Sequence, residues 1–127
     1  MRGIEIHDRD ERVLSFDLEE VLQVLGGAID CLTWHCSNVE AVGASASALH
    51  SLADGGTACT GAELRRISRG ITQTIDAEFR GVDSAGKSAI LIRAIDSSLW
   101  EVFAPDSLLD RLRDGFSDVR PASYEAG

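Results

Sequence analysis

The residues Asp30-Cys31-Leu32-Thr33-Trp34-His35-Cys36 form the densest group of metal-binding and nucleophilic side chains in this sequence. Zinc needs four deprotonated Cys, His or carboxylate ligands arranged as a tetrahedron. Cys31 and His35 share a face whether the segment is a strand or a helix, and Cys36 falls elsewhere. A complete site would have to borrow His50 or Cys59 from distant sequence, and no C-x2-C pair pre-organises one. A Cys–His nucleophile needs a lowered thiol pKa and an orienting third group, and the spacing supplies neither. The cysteines therefore read as small buried hydrophobes. No metal, no cofactor and no catalytic residue is expected from them.

A second group is made of carboxylates. Asp76, Glu78 and Glu101, with Arg93, are placed on the polar face of a predicted meander. There a cross-strand Arg93–Glu101 ion pair is natural, and two acids could serve as an acid/base pair for hydrolysis or line a ligand site. The plain alternative is a solvated sheet face with modest charge pairing. Gly86-Lys87-Ser88 invites comparison with a phosphate loop, but it joins strand to strand, whereas that motif joins strand to helix. Trp34, Trp100 and Tyr124 do not interleave with basic residues, so no nucleic-acid stacking platform is suggested.

The third feature is charge. The net charge is −9 over 127 residues, and no Lys or Arg occurs between Arg12 and Arg65. Residues 1–60 carry ten acids against three bases, residues 61–127 eleven against nine. Nucleic acid and anionic membranes bind through Lys and Arg, so both are disfavoured as partners. A basic protein partner fits better, with Asp17, Glu19, Glu20 and Glu40 supplying complementary charge. Solubility alone is the plainer reading of the same acids.

The elements that must position these groups follow from periodicity. Asp17 and Glu20 have capping-box spacing, Phe16 and Val21 form a staple, and Leu18, Val21, Leu22 and Leu25 make one apolar face that ends at Gly26-Gly27. Residues 28–42 fit strand or helix, with strand favoured by Thr33, Trp34 and Cys36. A helix is expected from about Ala44 to Ala53, and another starts at the Thr60/Glu63 box. Ile71, Gln73, Ile75, Ala77 and Phe79 then alternate with Thr72, Thr74, Asp76, Glu78 and Arg80, which predicts a half-buried strand with the first set inward. Asp83-Ser84-Ala85-Gly86-Lys87 is a hairpin loop. Residues 89–95 are apolar on both faces, and Leu99–Phe103 closes a meander over residues 71–103. A last helix opens at Pro105-Asp106, with Leu108, Leu109, Leu112 and Phe116 inward.

The fold expected is α+β: a three- to four-stranded, mostly antiparallel sheet packed against amphipathic helices in one domain, 1–127, with loose ends at 1–3 and 121–127. The N-terminus has no apolar core of a signal peptide and no run is long enough to span a bilayer, so a cytoplasmic chain is expected. Eleven Arg against a single Lys, with abundant Ala and Gly, suggests a GC-rich bacterial genome. The function expected is a non-enzymatic acidic interaction domain, in concrete form an inhibitor or immunity-type protein covering a basic partner surface. The alternative is a small hydrolase or ligand-binding domain that uses the meander face. A homodimer through the sheet is a third expectation.

Overall fold

A computed structural model describes residues 1–126. The chain starts with β1 (Gly3–Ile6) and a small hairpin of β2 (Arg9–Asp10) and β3 (Val13–Leu14). Then come α1 (Leu18–Leu25), a 3-10 turn at Gly26–Ile29, β4 (Thr33–Val42), α2 (Ala46–Gly55), β5 (Cys59–Thr60) and α3 (Gly61–Ser68). The remainder is β6 (Gln73–Val82), β7 (Ser88–Ile95), β8 (Leu99–Phe103), α4 (Asp106–Gly115) and β9 (Val119–Pro121). Seven strands form one sheet in the order β5-β4-β6-β7-β8-β1-β9, and each neighbouring pair is antiparallel.

The α+β class and the meander β6-β7-β8 are as expected, but the sheet has seven strands where three to four were predicted. The additional strands are short or find their partners far away. β5 has two residues and β9 three, too few to carry a period of two. In β1, Ile4 and Ile6 alternate with Glu5 and His7 as in a short edge strand or an extended lead-in. What the local pattern does not show is its pairing with Trp100–Phe103, almost a hundred positions later. Residues 33–42 take the strand reading, because Trp34 and Cys36 are buried while Thr33 and His35 are exposed.

One sheet face carries the core. Cys36, Phe79, Ile92, Val102 and Ile4 lie side by side across five strands, next to Ala77, Ala94, Trp100 and Ile6 across four. These residues form one cluster with Leu18, Val21, Leu22 and Leu25 of α1, Leu49 of α2, Leu64 and Ile67 of α3, and Leu109 and Leu112 of α4. All four helices thus cover the same face.

α1 starts as its capping box requires. The Asp17 carboxylate accepts from the Leu18 N–H at 2.8 Å, and Glu20 Oε1 accepts from the Asp17 N–H at 3.0 Å. Its last turn holds no basic residue of its own. Arg111 of α4 donates to the Leu25 carbonyl at 3.1 Å, and Arg65 of α3 reaches Gly26 and Asp30, which brings two cations to the negative end of the helix dipole. The bases missing from the first half of the chain are thus returned to it in space by the second half.

The predicted alternation of residues 71–79 holds at Ala77 and Phe79 and breaks before them. Ile75 is an extra residue in β6: Glu40 pairs with Asp76 and Ala41 with Thr74, so Ile75 has no partner between them. Thr74, expected outward, is 1% exposed, and Gln73, expected inward, is exposed. A second bulge lies opposite, at Asn38–Val39 of β4, where Asn38 adopts φ 52°. Where β4 turns into α2, a Cβ on Gly43 (φ 137°) would stand 2.5 Å from the Gly70 oxygen and from the Thr72 nitrogen, so only glycine allows the two backbones to meet. The two ends of the chain meet as well: Met1 and Ala126 exchange backbone hydrogen bonds, and the Ala122 N–H donates to the Gly3 carbonyl at 3.0 Å.

Candidate functional site

The face of the sheet that no helix covers carries a row of six side chains in register: Ser37, Glu78, Arg93, Glu101, Glu5 and Arg120, one from each of β4, β6, β7, β8, β1 and β9. Alternating strand geometry puts them there: Glu78, Arg93, Glu101 and Glu5 each lie between two core-facing neighbours, and Ser37 and Arg120 continue the row as their register partners. Arg93 Nη1 is 3.3 Å from Glu101 Oε1. Glu78 Oε2 accepts from the Ser37 hydroxyl at 3.4 Å, Glu5 meets His7 Nε2 at 2.8 Å, and Arg120 holds Asp118 through two bonds of 2.9 and 3.0 Å.

The C-terminal segment crosses part of this face. Tyr124 packs its ring 5.3 Å from that of Phe103, accepts from Arg93 Nη1 at 2.6 Å and donates to Glu101 Oε1 at 2.6 Å. Glu101 is only 3% exposed, and a carboxylate held that far from water requires this pair of partners. Desolvation, followed by the hydrogen bond and the charge of Glu101, pushes the Tyr124 hydroxyl above its usual value. A raised folded-state pKa means that the contact contributes stability below the ordinary tyrosine value of about 10 and loses it as pH rises through the higher folded value. Because Tyr124 is the only tyrosine in the chain, ultraviolet titration of tyrosinate reports it alone. The expected midpoint lies above that of a free tyrosine in the native protein, returns to the ordinary value in denaturant, and falls only part of the way in Glu101→Gln, where burial still raises it.

Beside this closed end the face opens into a cleft of 470 Å³ lined by Asn38, Val39, Glu40, Asp76, Ala77, Glu78, Arg93, Ala94 and Ile95. Glu40 and Asp76 are register partners across β4 and β6, and like charges directly opposite one another destabilise a strand pair. Asp76 is steadied by the Asp96 N–H, which donates to it at 2.8 Å, whereas Glu40 is exposed at the outer side.

The eight carboxylates and bases singled out in the sequence thus regroup. Asp76, Glu78 and Arg93 line the cleft and are joined there by Glu40, while Glu101 lies outside its lining beneath Tyr124. Asp17, Glu19 and Glu20 lie together elsewhere, around a hollow of 220 Å³ at the start of α1. Two of these three are engaged within the fold. Asp17 accepts from the Thr74 N–H at 2.9 Å and from the Thr74 hydroxyl at 2.6 Å besides capping α1, and Glu20 accepts from the Asp17 N–H. The pairing of Glu40 with Asp76 was beyond the sequence reading, since nothing local announces that β4 and β6 are neighbours.

The remaining candidates do not gather into one site, although Cys36 of β4 and Cys59 of β5 lie within hydrogen-bond reach of each other. Cys31 is exposed, Cys36 and Cys59 are buried, and His35 points to the opposite face from Cys36. A hydrogen bond to Cys59 and then burial push the Cys36 thiol up, the reverse of what a nucleophile requires. Among the described residues no group of three or more Cys, His, Asp or Glu side chains could hold a metal ion.

The phosphate-loop pattern is complete in sequence, with Gly81 standing five positions before Gly86. The structure nevertheless makes it the β6–β7 hairpin. Asp83 accepts from the Ala85 and Lys87 N–H groups at 2.9 and 3.0 Å, which occupies amides that would have to face a phosphate. Among the described residues no helix is long and apolar enough to cross a membrane. Comparison with family models, with curated proteins and with solved structures finds no match to this chain.

Proposed function

We propose that this chain is a non-enzymatic, acidic protein-interaction domain, of the inhibitor or immunity type, which meets a basic partner at the Glu40–Asp76–Glu78 cleft. The observation that carries this reading is the in-register pair Glu40 and Asp76, with Glu78 next to them. Of the neighbouring cations, Arg93 is shared with Glu101 and Arg80 meets Glu78 at 3.5 Å, and neither is paired with Glu40 or Asp76. A carboxylate pair that weakens its own sheet is satisfied by a Lys or Arg supplied from outside. Glu19 and Glu20, at the start of α1, contribute to the overall field that speeds encounter.

The reading separates stability from binding. Glu40→Gln removes the opposed charges, so the variant is expected to gain a few tenths of a kcal/mol, up to about 1, in urea unfolding. With the tagged protein as bait in an extract of the source organism, a basic partner is expected at low salt with wild type. It should be lost with Glu40→Gln and at high salt, where screening is strongest. Equal capture by both baits would remove the cleft from the proposal, and no capture at low salt would remove the interaction reading.

A second reading uses the same cleft for a small cationic ligand, since its volume falls in the range of small-molecule sites. A hydrolase version would have to work with Asp76, Glu78 and Glu40, because Glu101 is sealed beneath Tyr124. Thermal shift with a short diamine tests the ligand version, with stabilisation of wild type but not of Glu40→Gln as the supporting result.

A further inference from the structure

Arg93 stands between two carboxylates. In the register of β6, β7 and β8 it faces Glu78 on one side and Glu101 on the other, and side chains directly opposite one another lie within reach of a charge pair. It turns to Glu101, yet its shorter contact there is with a hydroxyl. Nη1 donates to the Tyr124 oxygen at 2.6 Å but stands 3.3 Å from Glu101 Oε1, beyond the ~2.7–2.9 Å usual for a charge-assisted bond. Tyr124 in turn donates to Glu101 at 2.6 Å, so its hydroxyl bridges cation and carboxylate. Tyr124 belongs to the C-terminal segment, is 45% exposed, and is held by its ring contact with Phe103 and by the backbone bonds of Ala122 and Ala126. Arg93 is the single basic residue among those that line the cleft. Glu78, its other register partner, is left with Ser37 at 3.4 Å and Arg80 at 3.5 Å.

We propose that the Tyr124 hydroxyl sets the charge of the cleft: it pins Arg93 to Glu101, and on its withdrawal the guanidinium turns to Glu78 and takes the place of a partner's Lys or Arg. This rests on the acidic-interaction reading above and names how that site is regulated. Both carboxylates already flank Arg93 in register, so the turn is made by its flexible side chain without a shift of the sheet. While the hydroxyl is in place, Glu101 is buried and depends on the two donors it has. Once Tyr124 lifts, water reaches Glu101 and replaces them, and Glu78 competes for the cation. The two arrangements have the same net charge and differ in where one positive charge lies. In the second, Glu78 is neutralised and a like charge meets the incoming base. Tyr124 is thus a positioning residue, which acts on the partner through Arg93.

The test uses the full chain and fluorescein-labelled trilysine, with binding followed by fluorescence anisotropy at low salt. Tyr124→Phe removes the hydroxyl, retains a ring against Phe103 and leaves the net charge unchanged, so a change in affinity reports the placement of charge and not its amount. It is expected to weaken binding about tenfold. In Arg93→Gln/Glu101→Gln protein, where no cation lines the cleft, adding Tyr124→Phe is expected to change affinity less than about twofold. NMR of the Arg93 guanidinium gives a readout without the probe: its signals are expected to respond to Glu78→Gln in Tyr124→Phe protein and not in wild type. An equal loss of binding in both backgrounds, wild-type affinity in Tyr124→Phe, or Arg93 signals that ignore Glu78 throughout would each overturn the proposal and leave the acidic-interaction reading in place. No binding of trilysine by wild type would remove both.

Discussion

Asp17→Ala is expected to lower stability by about 3 kcal/mol, although Asp17 reads in the sequence as a surface acid available to a partner. Losing an N-cap costs about 1 kcal/mol, and leaving the Thr74 N–H and hydroxyl buried without an acceptor costs about 1–3 kcal/mol more. Both parts follow from one carboxylate that accepts from Leu18, from the Thr74 backbone and from the Thr74 side chain, with Thr74 almost fully buried. Urea unfolding followed by circular dichroism gives the number, and Asp17→Asn, which retains an acceptor oxygen, is expected to recover part of it. A cycle with Thr74→Val should be non-additive, since the two side chains share a bond. A loss below about 0.5 kcal/mol, the range of ordinary surface changes, would show that Asp17 does not join α1 to β6.

Trp34→Ala is the larger change, with an expected loss of about 4 kcal/mol. The indole is fully buried, its Nε1 donates to the Ile29 carbonyl at 3.0 Å, and it lies against Gly81, where a Cβ would come within 2.9 Å of the ring. Such a loss is a large fraction of the total stability of a domain this size, about 5–15 kcal/mol, so the variant is expected to be partly unfolded at growth temperature. Trp34→Phe keeps most of the volume but leaves the carbonyl without its donor, and should fall between the two. Thermal unfolding ranks the three proteins, and an alanine variant as stable as wild type would mean that the β4–β6 core does not depend on this ring.

These two residues also show where the sequence was legible. The Asp17/Glu20 box could be read because a capping box is complete within four positions, and the same holds for Thr60, which accepts from the Glu63 N–H at 3.1 Å. The Asp83–Lys87 hairpin and the doubly apolar β7 are equally local. The second duty of Asp17, holding Thr74, could not be read, because it depends on the extra residue at Ile75. A bulge leaves no mark in hydrophobic periodicity beyond a change of phase, and Thr74 was assigned to the wrong face for that reason. Strand neighbours were likewise hidden. Glu40 and Asp76 entered as members of rival groups, one an acidic half-chain and the other a meander face, and only the β4–β6 register joins them. Glu101 was read correctly as facing Arg93, yet its closure by Tyr124 depends on a C-terminal segment expected to be loose.

The strand order has a kinetic consequence. β1 precedes every other strand of the sheet and has no pairing partner until β8 and β9 exist. Ile4 and Ile6 must therefore wait, without strand neighbours, until the elements from β2 to β7 have been made. Contacts this distant in sequence make the search for the native pairing slow. A chain arrested after β7 would hold the meander's first hairpin but present Ile92 and Ala94 without the neighbouring strand that covers them, an invitation to chaperones during synthesis that the finished molecule no longer extends.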